Sequence, residues 1–66
     1  MIITTVASVQ YACEISEEDA EKIRAKAGDG DMIDAVWELY NAGQIRLYRN
    51  STETDFWTES IIEVDD

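Results

Sequence analysis

The chain has no histidine, no proline, one cysteine, and five basic residues against fifteen acidic ones in a length of 66. Each shortage excludes something. Histidine is the commonest general acid-base group, so its absence weakens any reading as an enzyme. It also removes the usual nitrogen ligand of a structural zinc site, and no metal or cofactor is expected. A single cysteine, Cys13, cannot close an internal disulfide. It alternates with core residues and reads as a small buried hydrophobe rather than a nucleophile, which would need an activating cation or base. The lack of cations is also local. No base lies between Lys26 and Arg46, a gap holding Asp29, Asp31, Asp34 and Glu38, and none follows Arg49. A formal charge of −10 disfavours direct contact with nucleic acid or an anionic membrane and favours a basic partner.

There are no repeats and no linker, so residues 1–66 are expected to form one small acidic α+β domain. Apolar residues make up 45% of the chain, enough for a core despite the charge. A chain this short buries only about 60% of the surface it exposes when unfolded. It therefore needs a well-packed core, a second copy or a partner, and either a monomer or a homodimer fits. The start lacks a basic n-region and no apolar run reaches membrane-spanning length, so a cytoplasmic protein is expected.

Alternation from Ile3 to Ile15 reads as one long strand, with Ile3, Thr5, Val9, Tyr11 and Cys13 on one face and Thr4, Val6, Gln10 and Glu14 on the other. Ser16 caps a first helix and Gly28 ends it. Asp31 caps a second, whose apolar face carries Met32, Ile33, Val36, Trp37, Leu39 and Tyr40 and whose opposite face carries Asp34 and Glu38. Gln44–Arg49 alternates as a strand, Asn50–Glu53 as a polar turn, and Thr54–Val64 as a last strand in which a bulge would change the inward face. The predicted order is β-α-α-β-β, a three-stranded antiparallel sheet with both helices on one face. Val9, Ile23, Val36, Trp37, Tyr40, Ile45, Leu47 and Phe56 are the predicted core.

Asp29-Gly30-Asp31 followed by Asp34 hints at calcium, but the spacing places Asp34 where an EF-hand needs glycine and Tyr40 where it needs glutamate. A winged helix fits the element order, yet its recognition helix would present Asp34 and Glu38 to DNA. The opposite idea fits better: carboxylates spaced along a helix or strand stand in for phosphates. Asp34 and Glu38 make one such row; Asp55, Glu59 and Glu63 make another, with Trp57 as an apolar anchor. These six are the candidate partner-binding residues.

Small size, strong acidity and a compact α+β pattern together resemble the small phage-encoded anti-CRISPR and DNA-mimic inhibitors, a likeness of class carried by the whole chain rather than by a motif. It implies a non-enzymatic protein that occupies the nucleic-acid-binding surface of a basic partner, such as a bacterial CRISPR effector complex, in the host cytoplasm. The alternatives are a module acting by homo-oligomerisation and a winged-helix relative without DNA binding.

Overall fold

Two helices cover one face of an antiparallel sheet in the computed structural model, which describes residues 1–56 and 59–66. The elements run β1 (Ile2–Val6), β2 (Gln10–Glu14), α1 (Glu17–Ala27), α2 (Met32–Asn41), β3 (Tyr48–Arg49), β4 (Thr52–Glu53) and β5 (Ser60–Asp65). Among the described residues the sheet has five strands in the order β4-β3-β2-β1-β5. The α+β class and the two helices match the sequence reading. The strand count does not: five replace the expected three, and the order is β-β-α-α-β-β-β.

The first difference has a simple cause. The segment Ile3–Ile15 is a hairpin, with Val6 opposite Gln10 and Ile3 opposite Cys13. Its loop, Ala7 to Val9, holds an odd number of residues and contains no glycine, proline, asparagine or aspartate. Odd-numbered residues therefore stay on one face through the reversal, and the alternation never breaks. Val9 sits in that loop and is 54% exposed rather than in the core.

The second difference lies in the segment after α2. Ile45 and Leu47 are buried and Arg46 is exposed, as alternation requires, but only Tyr48 and Arg49 pair as a strand. The residues before them are fastened to α1 instead. Arg46 N–H donates to the Asp19 carboxylate at 3.1 Å, and Lys22 Nζ donates to the Gln44 carbonyl at 3.1 Å. Those groups are occupied outside the sheet, so no ladder forms there.

Helix boundaries follow the local chemistry. The Ser16 hydroxyl accepts from Asp19 N–H at 3.2 Å, and the Asp31 carboxylate accepts from Ile33 N–H at 2.8 Å. Gly28 ends α1 at a φ of 55°, its N–H donating to the Arg24 carbonyl. The core joins Ile3, Cys13 and Ile61 of the sheet to Ile23, Ala35, Val36 and Leu39 of the helices, with Ile45, Leu47 and Phe56 closing one end. Trp37 and Tyr40 are only partly buried and pack against this cluster. The radius of gyration is 10.7 Å, the value of about 11 Å expected for a compact chain of this length.

Strand β5 carries the bulge. Thr5 faces Ile61 and Thr4 faces Glu63, so Ile62 is the extra residue. The bulge turns Ile61 inward with Val64, while Ile62 is 47% exposed.

The β3–β4 hairpin turns on Asn50 and Ser51, at φ 49° and 67°. Two consecutive left-handed residues between the Arg49–Thr52 pair make the two-residue loop that prefers Asn-Gly. Asparagine tolerates that conformation; serine does so at a cost of about 1 kcal/mol. Ser51→Gly is expected to stabilise the fold by about that amount, raising the Tm by about 4–8 °C. A thermal melt showing a lower Tm would mean that the serine side chain contributes more than its backbone costs.

Candidate functional site

All five basic residues are held by carboxylates of the same chain. Lys22 pairs with Asp19 at 3.5 Å, Lys26 with Glu38 at 3.2 Å, and Arg46 with Glu53 at 3.9 Å. Arg24 binds Glu17 and Glu21 at 2.9 Å and the C-terminal residue Asp66 at 2.5 Å. Hydrogen bonds from Arg24 hold the Glu17 and Asp66 carboxyls below their ordinary range. Arg49 binds Glu59. With fifteen acids and every base engaged, the charge left over at the surface is negative.

The Arg49 pair is unlike the others because it faces inward. The side chains are 19% and 9% exposed. Glu59 also accepts from the Thr5 hydroxyl, and Thr5 is fully buried. Arg49 Nη2 lies 3.1 Å from Thr5 Oγ1, and the guanidinium stacks 4.0 Å over the Tyr11 ring. The guanidinium hydrogen bond lowers the Glu59 pKa; burial opposes it and the Thr5 hydroxyl adds to it. Cys13 is buried beside this cluster. Burial costs an ion pair much of its Coulombic gain, so this pair acts as a latch between β3 and the start of β5 rather than as a surface feature.

The sheet face away from the helices is where unpaired carboxylates gather. Ile3, Cys13 and Ile61 are buried in the core with the helices and Thr5 is buried under the Arg49 latch, which turns their strand neighbours outward. Read across the strands, one row is Glu53, Tyr48, Glu14, Ile2 and Asp65, and the next brings Ala12, Thr4 and Glu63 together. Strands lie about 4.8 Å apart, so Glu53 and Asp65 stand on opposite sides of Glu14, each about 10 Å from it, with Tyr48 and Ile2 between. Glu14, Glu63 and Asp65 are exposed and make no ion pair among the described residues.

The six residues expected from sequence fall in different places. Glu63 is on this outer face. Asp34 is exposed on α2, and Glu38 on the same helix is paired with Lys26. Asp55 lies outside β5 and accepts from the Tyr40 hydroxyl at 2.6 Å. The same hydroxyl accepts from Phe56 N–H at 2.9 Å; burial, with the Asp55 bond, raises the Tyr40 pKa. Glu59 precedes β5 and points into the latch. Asp55, Glu59 and Glu63 thus do not form a row, because β5 begins only at Ser60 and a bulge follows. Trp57 lies outside the described residues. Sequence reading missed Glu14 and Asp65, although the alternation had already placed Glu14 on the face opposite the core.

Concavities open on the surface, and two of them are well formed among the described residues. One, of about 430 Å³, is lined by Tyr40, Arg46, Leu47, Glu53, Thr54 and Asp55. The other, of about 370 Å³, is lined by Glu14, Ile15, Ser16, Tyr48 and Ser51. Among the described residues no group of three or more histidines, cysteines or acids could hold a metal ion, and no helix is long and apolar enough to cross a membrane. The outer face therefore offers fixed negative charge and hydrogen-bond acceptors flanked by small apolar and aromatic patches. Comparison with family models, with curated proteins and with solved structures finds no match.

Proposed function

We propose that the protein is a non-enzymatic binder whose outer sheet face occupies the nucleic-acid-binding surface of a basic partner. One observation carries this reading: every basic side chain is internally paired, while Glu14, Glu63 and Asp65 stand exposed on a single open face with no ion pair among the described residues. Carboxylates so arranged meet lysines and arginines without an intramolecular competitor. Glu63 and Asp65 stand about 6.6 Å apart along β5, and Glu14 stands about 10 Å from Asp65 across the strands, sparser than the phosphates of duplex DNA, which supply one charge per about 1.7 Å of axis. Each carboxylate thus acts as a separate anchor for one cation rather than as part of a continuous line. Ile2 and Ile62, 37% and 47% exposed, add apolar contact beside them. The same charges oppose a homodimer through this face, since both copies would bring the same unpaired carboxylates to the interface.

The test uses a triple variant, Glu14→Gln with Glu63→Gln and Asp65→Asn. Partners captured from a bacterial lysate at low salt with the wild-type protein should be released by added DNA or RNA. The triple variant should capture them weakly and with a flatter salt dependence, at unchanged stability. A partner that binds nucleic acid and this protein together, without mutual interference, would overturn the reading. Self-association of the triple variant but not of the wild type would point instead to oligomerisation held off by charge.

A further inference from the structure

We infer that the concavity formed by Glu14, Ile15, Ser16, Tyr48 and Ser51 is an anchor pocket for one arginine side chain of the basic partner. The inference rests on the functional reading above and adds the point at which the partner is held. The two concavities differ in the charge they contain. The groove beside Tyr40 already holds a cation of this chain, Arg46, next to Glu53, and its Asp55 accepts from Tyr40. Among the described residues, the Glu14 pocket holds a carboxylate and no cation. Glu14 is exposed and makes no ion pair among the described residues.

The lining suits a guanidinium on a hydrocarbon stem. Glu14 and Tyr48 are directly opposite in the β2–β3 ladder, which sets their Cβ atoms about 5 Å apart on one face. A planar cation between them stacks on the phenol ring and donates two hydrogen bonds to the carboxylate. Ile15 supplies an apolar wall for the stem, and the Ser51 hydroxyl supplies a further acceptor. The Ser16 hydroxyl is already engaged as the α1 cap. Arginine fits this set better than lysine because its fork bonds a carboxylate at two points and its plane stacks on an aromatic ring.

The fold itself makes a comparable arrangement on the other side of the sheet, where Arg49 lies over Tyr11 and binds Glu59. There the arginine is internal; in the outer pocket the aromatic and the carboxylate are present and the cation is missing. Ser51 adds a second, independent sign. It holds a left-handed φ of 67° at a turn position where glycine is preferred. That turn carries a hydroxyl, where glycine would carry none, to the lining of the pocket.

The experiment is a titration of the isotope-labelled protein with a capped arginine-serine repeat peptide at low salt, followed by NMR, with a lysine-serine peptide of equal charge alongside. The arginine peptide should bind more tightly, and the amide signals of Glu14, Ile15, Tyr48 and Ser51 should shift most. Glu14→Gln should weaken it about tenfold, whereas Asp29→Asn, an exposed carboxylate in the turn between the helices, should change it less than about twofold. Tyr48→Leu should abolish the preference for arginine over lysine. If both peptides bind but Glu14→Gln and Asp29→Asn weaken them equally, the pocket is refuted and the acidic-face reading stands. If neither peptide binds at low salt, both fall.

Discussion

Replacing Arg49 with methionine is expected to unfold most of the protein at neutral pH. The substitution keeps an unbranched apolar stem, removes the guanidinium, and leaves Glu59, only 9% exposed, without its cation and beside a fully buried Thr5. Breaking a buried ion pair from one side costs roughly 3–5 kcal/mol, and a single core in a chain this small supplies about the same. The pair itself is a different quantity. Arg49→Met combined with Glu59→Leu removes both charges and should recover most of the stability, because hydrophobic replacement of a buried pair is often neutral or favourable. Urea denaturation of the two variants measures the contrast. A single variant as stable as wild type would show that Glu59 reaches water and that no latch exists.

The same pair fixes the sign of a pH dependence. In the native protein the Glu59 carboxyl is held below its ordinary value, near 4.5, by the Arg49 hydrogen bond. The unfolded chain binds the proton more readily, so this contribution is fully present above the unfolded pKa and is lost as the pH falls through the folded one. In Arg49→Met the carboxyl keeps its burial and loses its cation, which moves its pKa upward. In that variant the Glu59 contribution to stability should rise as the pH falls through its raised pKa, opposite in sign to its contribution in wild type.

The latch was partly legible in the sequence. Arg49 shares the parity of Ile45 and Leu47, and Glu59 that of Ile61, so each charge stands in an inward register. A charge in core register next to an opposite charge in core register is the signature of an internal pair. Read singly, each looked like an ordinary surface residue. The helices were the clearest part, because Ser16, Asp31 and Gly28 act within one turn of where they stand. The sheet was harder for a geometric reason. Reversing through three residues preserves parity, so β1 and β2 merged into one strand; the bulge at Ile62 changes parity, so the last strand appeared apolar on both faces. The outer face is likewise set by which strands lie side by side. Tyr48 meets Glu14, and Ile2 meets Asp65, only through the order β4-β3-β2-β1-β5. No local pattern encodes that order.

Phe56→Ala should be as damaging as the Arg49 variant, through packing instead of charge. Phe56 is fully buried and is the largest such side chain among the described residues. Its ring stacks on Tyr40 at 5.8 Å with 25° between planes, and the Arg49 guanidinium lies 5.4 Å away. It thus sits where the core, the latch and the Tyr40–Asp55 hydrogen bond meet. Truncation to alanine removes the ring and leaves a cavity, at a cost of about 3–5 kcal/mol, which matches the whole stability expected of the domain. The neighbours are poorly placed to collapse into the gap, because Tyr40 is tied to Asp55 and to the Phe56 backbone. Phe56→Leu keeps most of the volume and should cost about 1.5 kcal/mol or less, so it folds and reports on the site without losing it. Trp37→Ala should cost less than Phe56→Ala, since Trp37 is only partly buried against the core, the reverse of what its size alone suggests. Denaturant melts of the three variants give the order directly. If Phe56→Ala melts cooperatively near the wild-type midpoint, Phe56 is not the keystone of this core, and the stability of the acidic face must come from the helices alone.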